Sequence, residues 1–212
     1  MTSGRLSGTG GPTGAAPPPP PWLSGIRLPI EVLPAGTVLH RIHRTTLDPI
    51  FFGPGAGDPP TYRFDSGSGR FGVLYVGLSR AVALAETLLR NPHRLMVATA
   101  EITDRAATEL TCRRAIRVAK LYGAGLQTVG TDNAVSTGPY ESCGLWSDAL
   151  WDHSDRPDGI AYQSRHDSNE LCIAIFERPD MELEVKATRR LTAMLKEVAA
   201  LLDRYGKSLS PS

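Results

Sequence analysis

Glu86 stands alone in the stretch 81–89, where nearly every other residue is apolar; at helical spacing it shares a face with Val82 and Leu89. A carboxylate on a buried face needs a partner or a task, because an unpaired buried charge is expensive. Arg90, four residues on, has the spacing of an ion-pair partner. Arg63 and Arg70 bracket a Gly/Ser turn. A guanidinium can hold a phosphate through two parallel hydrogen bonds, although Arg63 also reads as a surface residue before a loop. Arg41 and His43 fall on one face of a strand-like run, a face that is either exposed or lines a polar cleft, with exposure the expectation. Tyr75 alternates with Val73 and reads as core. Ser164 lies two residues before His166, but there is no Gly-x-Ser-x-Gly elbow, and closeness in sequence is not a nucleophile–base–orienter geometry.

Several other chemistries lack their residues. The turn Gly67-Ser68-Gly69 is too short for a phosphate loop, and neither GxxxxGK[ST] nor GxGxxG occurs. The five histidines have no metal-ligand pairing, since His40 and His43 would point to opposite faces, so no metal is expected. Cys112, Cys143 and Cys172 are far apart and odd in number, which argues for buried thiols in a reducing compartment, with the cytoplasm as the expected location. A net charge of +1 gives no basic field for nucleic acid, and direct nucleic-acid binding is not expected. No apolar run approaches the ~20 residues that cross a bilayer, so no membrane is expected either.

The elements that must position these residues begin after a Gly-, Ser- and Pro-rich stretch at 1–30, whose proline run at 17–21 reads as a disordered, partly polyproline-like tail. A folded domain is expected over 31–206, with a short tail at 207–212. Strands are expected at 38–43, at 72–77 between glycines, at 95–102, at 160–163 and at 171–176, with a short element at 115–121 and an edge strand near 182–185. Ser79 is placed to cap the helix that carries Glu86. The region 123–138 reads as loop, and 140–153 has helical spacing. The last helix runs from Leu191, with Thr188 as start cap, Gly206 as end cap and an apolar stripe through Met194, Val198, Leu202 and Tyr205. Short strands broken by loops, with few helices, indicate an α+β domain.

Leu39-His40-Arg41, then Tyr62-Arg63-Phe64, then Leu74-Tyr75 with Ala83-Leu84-Ala85-Glu86, then Asp158 through Ser164 occur in an order and spacing that resemble the RES-domain family, over residues 33–176. That family is named for its Arg, Glu and Ser and is best known as toxins of bacterial toxin–antitoxin pairs. The sequence departs from the family pattern at Asp65, where Asn or Ser is common, in the additional Arg70, and in the long N-terminal stretch.

The resemblance implies an ADP-ribosyltransferase-like fold, with a split, twisted β core, surrounding helices and an NAD-binding cleft. It implies an enzyme that consumes NAD as substrate, with no further cofactor, by hydrolysis, by phosphorolysis or by ADP-ribosyl transfer to a protein. Carried over position by position, the arginines fall on Arg41 and Arg63, with Arg70 as the alternative to Arg63, the tyrosine on Tyr75, the glutamate on Glu86 and the serine on Ser164. Breaking the nicotinamide–ribose bond builds positive charge on the ribose, which Glu86 would stabilise. Arg41 and Arg63 would hold the pyrophosphate and Tyr75 would stack on the nicotinamide. Ser164 would bond a ribose hydroxyl or place the nucleophile. A helix-turn-helix antitoxin and a homodimer are the implied partners. A reading of another class is a non-catalytic module that docks a partner through the C-terminal helix.

Overall fold

The computed structural model describes residues 14–55, 57–140 and 142–210. In chain order the elements are β1 (Ile30–Leu33), β2 (Leu39–Arg44), β3 (Val73–Gly77), α1 (Arg80–Leu88), β4 (Met96–Val97), α2 (Thr99–Thr103), β5 (Arg105–Cys112) and β6 (Ile116–Leu121). There follow α3 (Ala124–Val129), α4 (Ala134–Thr137), α5 (Cys143–Trp151), β7 (Gly159–Gln163), β8 (Leu171–Phe176), β9 (Leu183–Arg190), α6 (Leu195–Arg204) and β10 (Ser208–Leu209). Eight strands form one sheet in the order β1-β6-β7-β8-β3-β2-β5-β9. Within this sheet only β6 and β7 are parallel neighbours. The domain is α+β, as expected.

Alternation along the central strands divides the core. On β8, Cys172, Ala174 and Phe176 join the cluster built around Trp146 and Phe64, while Ile173 and Ile175 face Leu39, Leu74 and Leu110 on the other side. A third cluster joins Ile42 to the buried stripe of α1 and to Leu191, Met194, Val198 and Leu202 of the C-terminal helical segment. That segment therefore spends its apolar stripe on its own core.

The sheet is split at its centre. β2 pairs with β5 along its whole length, from Leu39↔Leu110 to Arg44↔Arg105, and β3 pairs fully with β8. Between β2 and β3 the register holds at one point only, His40↔Gly77. Beyond it the strands diverge, so the end of β2 leaves an open edge at the gap. The chain then turns from β3 into α1 so tightly that a Cβ on Gly77 would lie 2.4 Å from Val82 Cγ1. Ser79 caps the helix as expected, accepting from Val82 N at 3.2 Å. The turn delivers α1, and Glu86 with it, to the edge of the split.

Several local expectations need correction. Residues 95–102 give only the two-residue β4 and then α2, because the Ala- and Glu-rich half follows helix propensity and buries Ile102. The region 123–138 contains α3 and α4. Thr188 lies within β9, and a 3-10 turn at Leu191–Met194 starts the last helical segment instead. Gly206, at φ +63°, does end it. Ser208 and Leu209, expected in a tail, pair with β4.

The N-terminal stretch differs most. Residues 1–13 lie outside the described residues, but residues 14–29 pack against the domain. Ala16, Leu23 and Leu28 are buried in the Trp146 cluster. Ser142 Oγ donates to Ala16 O at 2.8 Å and Trp146 Nε1 to Pro17 O at 2.9 Å. A proline run spares its own amides, so its carbonyls are left to accept from side chains.

Candidate active site

Glu86 faces the split from α1. Its carboxylate is not paired with Arg90, whose Nε donates instead to the Glu86 backbone carbonyl at 2.9 Å. The partner is Ser164, 78 residues away, whose hydroxyl donates to Glu86 Oε1 at 2.6 Å. Ser164 sits just past the end of β7, 3% exposed, and its oxygen accepts from His166 N at 3.1 Å and Asp167 N at 3.2 Å. Those two amides fix the oxygen's lone pairs and aim its single proton at Glu86. The same turn is clamped to the start of α1, where Ser79 Oγ donates to Glu170 Oε2 at 2.7 Å. Helix and hairpin are thus tied together where they carry Glu86 and Ser164. Ser164 does not itself line the cleft, and its geometry makes it a positioning residue for the carboxylate.

The cleft at the split has a volume of about 660 Å³, within the range of small-ligand sites. Six arginines line it, namely Arg41, Arg44, Arg63, Arg90, Arg105 and Arg165, against one carboxylate, Glu86. Among the described residues none of the six has a carboxylate oxygen within 4.0 Å, whereas Arg80, Arg94, Arg114 and Arg204 all do. Seven arginines outside the cleft have a carboxylate partner, and none of the six inside it does among the described residues.

Arg63 is 6% exposed. Its Nη1 donates to Gly138 O at 2.8 Å and Val135 O at 3.3 Å, and the Tyr140 ring lies over the guanidinium at 4.5 Å. Nη2 is buried with no acceptor. The loop that carries Arg63 is drawn together by Asp65, fully buried, which accepts from Thr61 N at 2.8 Å, Tyr62 N at 2.5 Å and the Tyr75 hydroxyl at 2.8 Å. Burial pushes the Asp65 carboxyl upward against those three donors. The other end of the loop is tied to α5, where Asp148 accepts from Ser66 Oγ and Ser68 N. There the backbones of Gly67 and Gly144 meet so closely that a Cβ on Gly67 would stand 2.9 Å from Gly144 C. Arg70 points away and forms a bidentate pair with Asp152 at the surface. Between the two candidates, the cleft takes Arg63.

Arg41 also lines the cleft, with Nη1 on Pro49 O at 2.8 Å and Phe51 O at 3.2 Å. Burial lowers its pKa to about 10, which leaves it charged at neutral pH. The expected exposure of the Arg41–His43 face is therefore not found, since a loop folds over it and His43 is buried. His43 Nδ1 lies 2.9 Å from Arg44 O, which only accepts, so Nδ1 carries the proton and Nε2 accepts from Thr108 Oγ1 at 2.8 Å. Tyr75 presents its ring to the cleft edge-on to Tyr62, centroids 5.5 Å apart, while its hydroxyl is spent on Asp65.

Residue-by-residue reading passed over several wall residues. Ser136 is 2% exposed, and its hydroxyl, like Arg63 Nη2 and Arg105 Nε, is buried without a partner. Of four such orphaned atoms among the described residues, three belong to residues of the cleft wall. An orphaned buried donor costs about 1–3 kcal/mol, and such costs collected in one cleft mark where a ligand would relieve them. His166 lies on the wall near Glu86 with its pKa lowered, first by burial, so it is neutral at pH 7. Cys172 is pushed well upward by burial and then by the Glu86 charge, so it is a thiol and not a nucleophile. A single anchored carboxylate in a basic, aromatic-walled cleft suits a polyanionic ligand that develops positive charge at one atom.

The chain matches the RES domain family model over residues 38–195. It is 32% identical over 108 residues to the "Probable toxin y4kH" of Sinorhizobium fredii (strain NBRC 101917 / NGR234), an alignment that covers 50% of this chain and 84% of the relative. The fold is similar to that of a chain in the crystal structure of the M. tuberculosis MbcT–MbcA toxin–antitoxin complex, with a TM-score of 0.61, 15% identity and coverage of 80% of this chain and 92% of that one. With three quarters of its length inside the family model, this chain belongs to the RES domain family.

Proposed function

We propose that this protein cleaves the nicotinamide–ribose bond of NAD, by hydrolysis or phosphorolysis, and acts as the toxin of a toxin–antitoxin pair. The observation that carries the reading is the Ser164-anchored carboxylate of Glu86, alone among six unneutralised arginines in one cleft. The bond that breaks joins ribose C1′ to a pyridinium nitrogen. The leaving group takes the electron pair and departs as neutral nicotinamide, so no general acid is required. The charge that needs stabilising is on the ribose, which becomes oxocarbenium-like, and Glu86 supplies the opposite charge from a fixed position. Water then forms the C1′–O bond and releases its proton to solvent, or the phosphate dianion forms it through an oxygen that is already ionised. Arg41 and Arg63 grip the pyrophosphate, where a planar fork matches paired oxygens better than an ammonium does. Tyr75 and Tyr62 offer ring surface to the nicotinamide.

Toxicity follows from the chemistry, since unchecked loss of NAD would harm the producer, and an antitoxin would have to deny NAD the cleft. Support for that context comes from the toxin named among the relatives and from the toxin–antitoxin complex among the similar folds. Incubating the purified protein with NAD, with and without phosphate, and identifying the products tests the reading. Free nicotinamide with ADP-ribose or its 1″-phosphate is expected. Intact NAD, or ADP-ribose found only on added protein, would contradict it.

A further inference from the structure

We propose that the end of the cleft where β2 meets β5 is a second anion subsite, formed by Arg44 and Arg105, that takes a phosphomonoester or free phosphate dianion in addition to the dinucleotide's pyrophosphate; this rests on the reading of the cleft as a dinucleotide site. Arg44 and Arg105 are directly opposite each other in the antiparallel register, so their side chains leave the sheet on the same face. Like charges opposed in this way destabilise a sheet. Both line the cleft, neither has a carboxylate within 4.0 Å among the described residues, and the Nε of Arg105 is buried without an acceptor. Arg80, at the start of α1, is treated differently, since it is bonded to Glu109 at 2.6 Å and to Glu197 at 2.5 Å.

The subsite is separate from the one assigned to Arg41. Three residues along a strand amount to roughly 10 Å and reverse the face. Arg41 is further held to its side by the Pro49 and Phe51 carbonyls. Arg90, just past the end of α1 with its guanidinium 5.5 Å from the Tyr62 ring, adds a further cation to the same cleft. A dianion is the ligand whose charge offsets an opposed arginine pair. Two sources fit that chemistry: a phosphate on a ribose hydroxyl of the dinucleotide, as in NADP, or inorganic phosphate as acceptor.

The test compares wild type with Arg44→Gln, Arg105→Gln and Arg105→Lys. Calorimetric titration with inorganic phosphate is expected to show binding that weakens at least tenfold in both Gln variants and is partly restored by Lys. Turnover of NAD and NADP, each with and without phosphate, separates the sources. If the anion is carried on the ribose, the NADP-to-NAD ratio of kcat/KM falls at least tenfold in the Gln variants. If it is free phosphate, the KM for phosphate rises at least tenfold and the ratio stays. Phosphate affinity and the NADP-to-NAD ratio both unchanged in the two Gln variants would overturn the subsite. If neither dinucleotide is cleaved, the reaction assigned above fails, while the phosphate titration still decides the subsite.

Discussion

The two walls of the cleft are built on opposite plans. The wall around Arg63 is over-determined: Asp65 gathers the loop, α5 holds its far end, and the Val135 and Gly138 carbonyls fix the guanidinium. The segment behind it is braced by the N-terminal stretch, through Ser142 to Ala16 and Trp146 to Pro17. The wall around Arg44 and Arg105 is a strand pair whose guanidiniums have no carboxylate partners among the described residues. Arg41 stands between these extremes, with one nitrogen held by two carbonyls. A group fixed before binding loses little freedom on binding, whereas a loose one must be ordered by the ligand. On the proposed function, the braced wall would set affinity and geometry, and the loose wall would respond to which anion arrives.

The largest effect expected from breaking this contrast is at Arg63. Arg63→Ala removes a buried charge held by Gly138, Val135 and Tyr140, and the KM for NAD should rise about 100-fold, or about 2.8 kcal/mol at 1.4 kcal/mol per decade, with kcat changed far less. Arg41→Lys keeps the charge and loses the fork, so steady-state kinetics should show a rise in KM nearer tenfold. Ser164→Ala leaves the arginines alone and frees the carboxylate, and a hydrogen bond to a charged group is worth about 1.5–3 kcal/mol, so kcat should fall roughly 10- to 100-fold with KM nearly unchanged. Trp146→Phe removes the bond to Pro17 O and opens a cavity in the core, a loss of roughly 2–3 kcal/mol in denaturant unfolding, with a rise of a few-fold in the KM for NAD if the brace serves Arg63.

The smallest effect concerns pH. His40, His43 and His166 have pKa values lowered chiefly by burial. Their folded-state values lie below the unfolded 6.5, so the unfolded chain takes up protons first on acidification. Their contribution is complete above that value and is lost as pH falls through it. The thermal midpoint should be lower at about pH 5.5 than at about pH 7.5.

What sequence reading could reach follows the same division. Glu86 was conspicuous because an acid in an apolar helix contradicts its surroundings, and Ser79 and Gly77 mark the turn that delivers it. Its partner Ser164 was out of reach of local rules, which favoured Arg90, because a contact across 78 residues leaves no periodicity; only the family resemblance linked the two. Strand β5 is built of Ala and Thr, whose alternation is faint, so the register that opposes Arg44 and Arg105 was invisible. Asp65 was noticed only as a departure from the family pattern, although three donors converge on it. The composition of the proline run predicts a tail. Its carbonyls found partners in Trp146 and Ser142, which composition does not encode.

The account rests on the Glu86 carboxylate acting on a bound dinucleotide, and Glu86→Gln isolates that charge while keeping the shape. Measured side by side, NAD affinity by calorimetry should stay within a few-fold of wild type while the rate of nicotinamide release falls at least 100-fold, the scale of losing one preorganised electrostatic group. Release of nicotinamide by Glu86→Gln at the wild-type rate would contradict it.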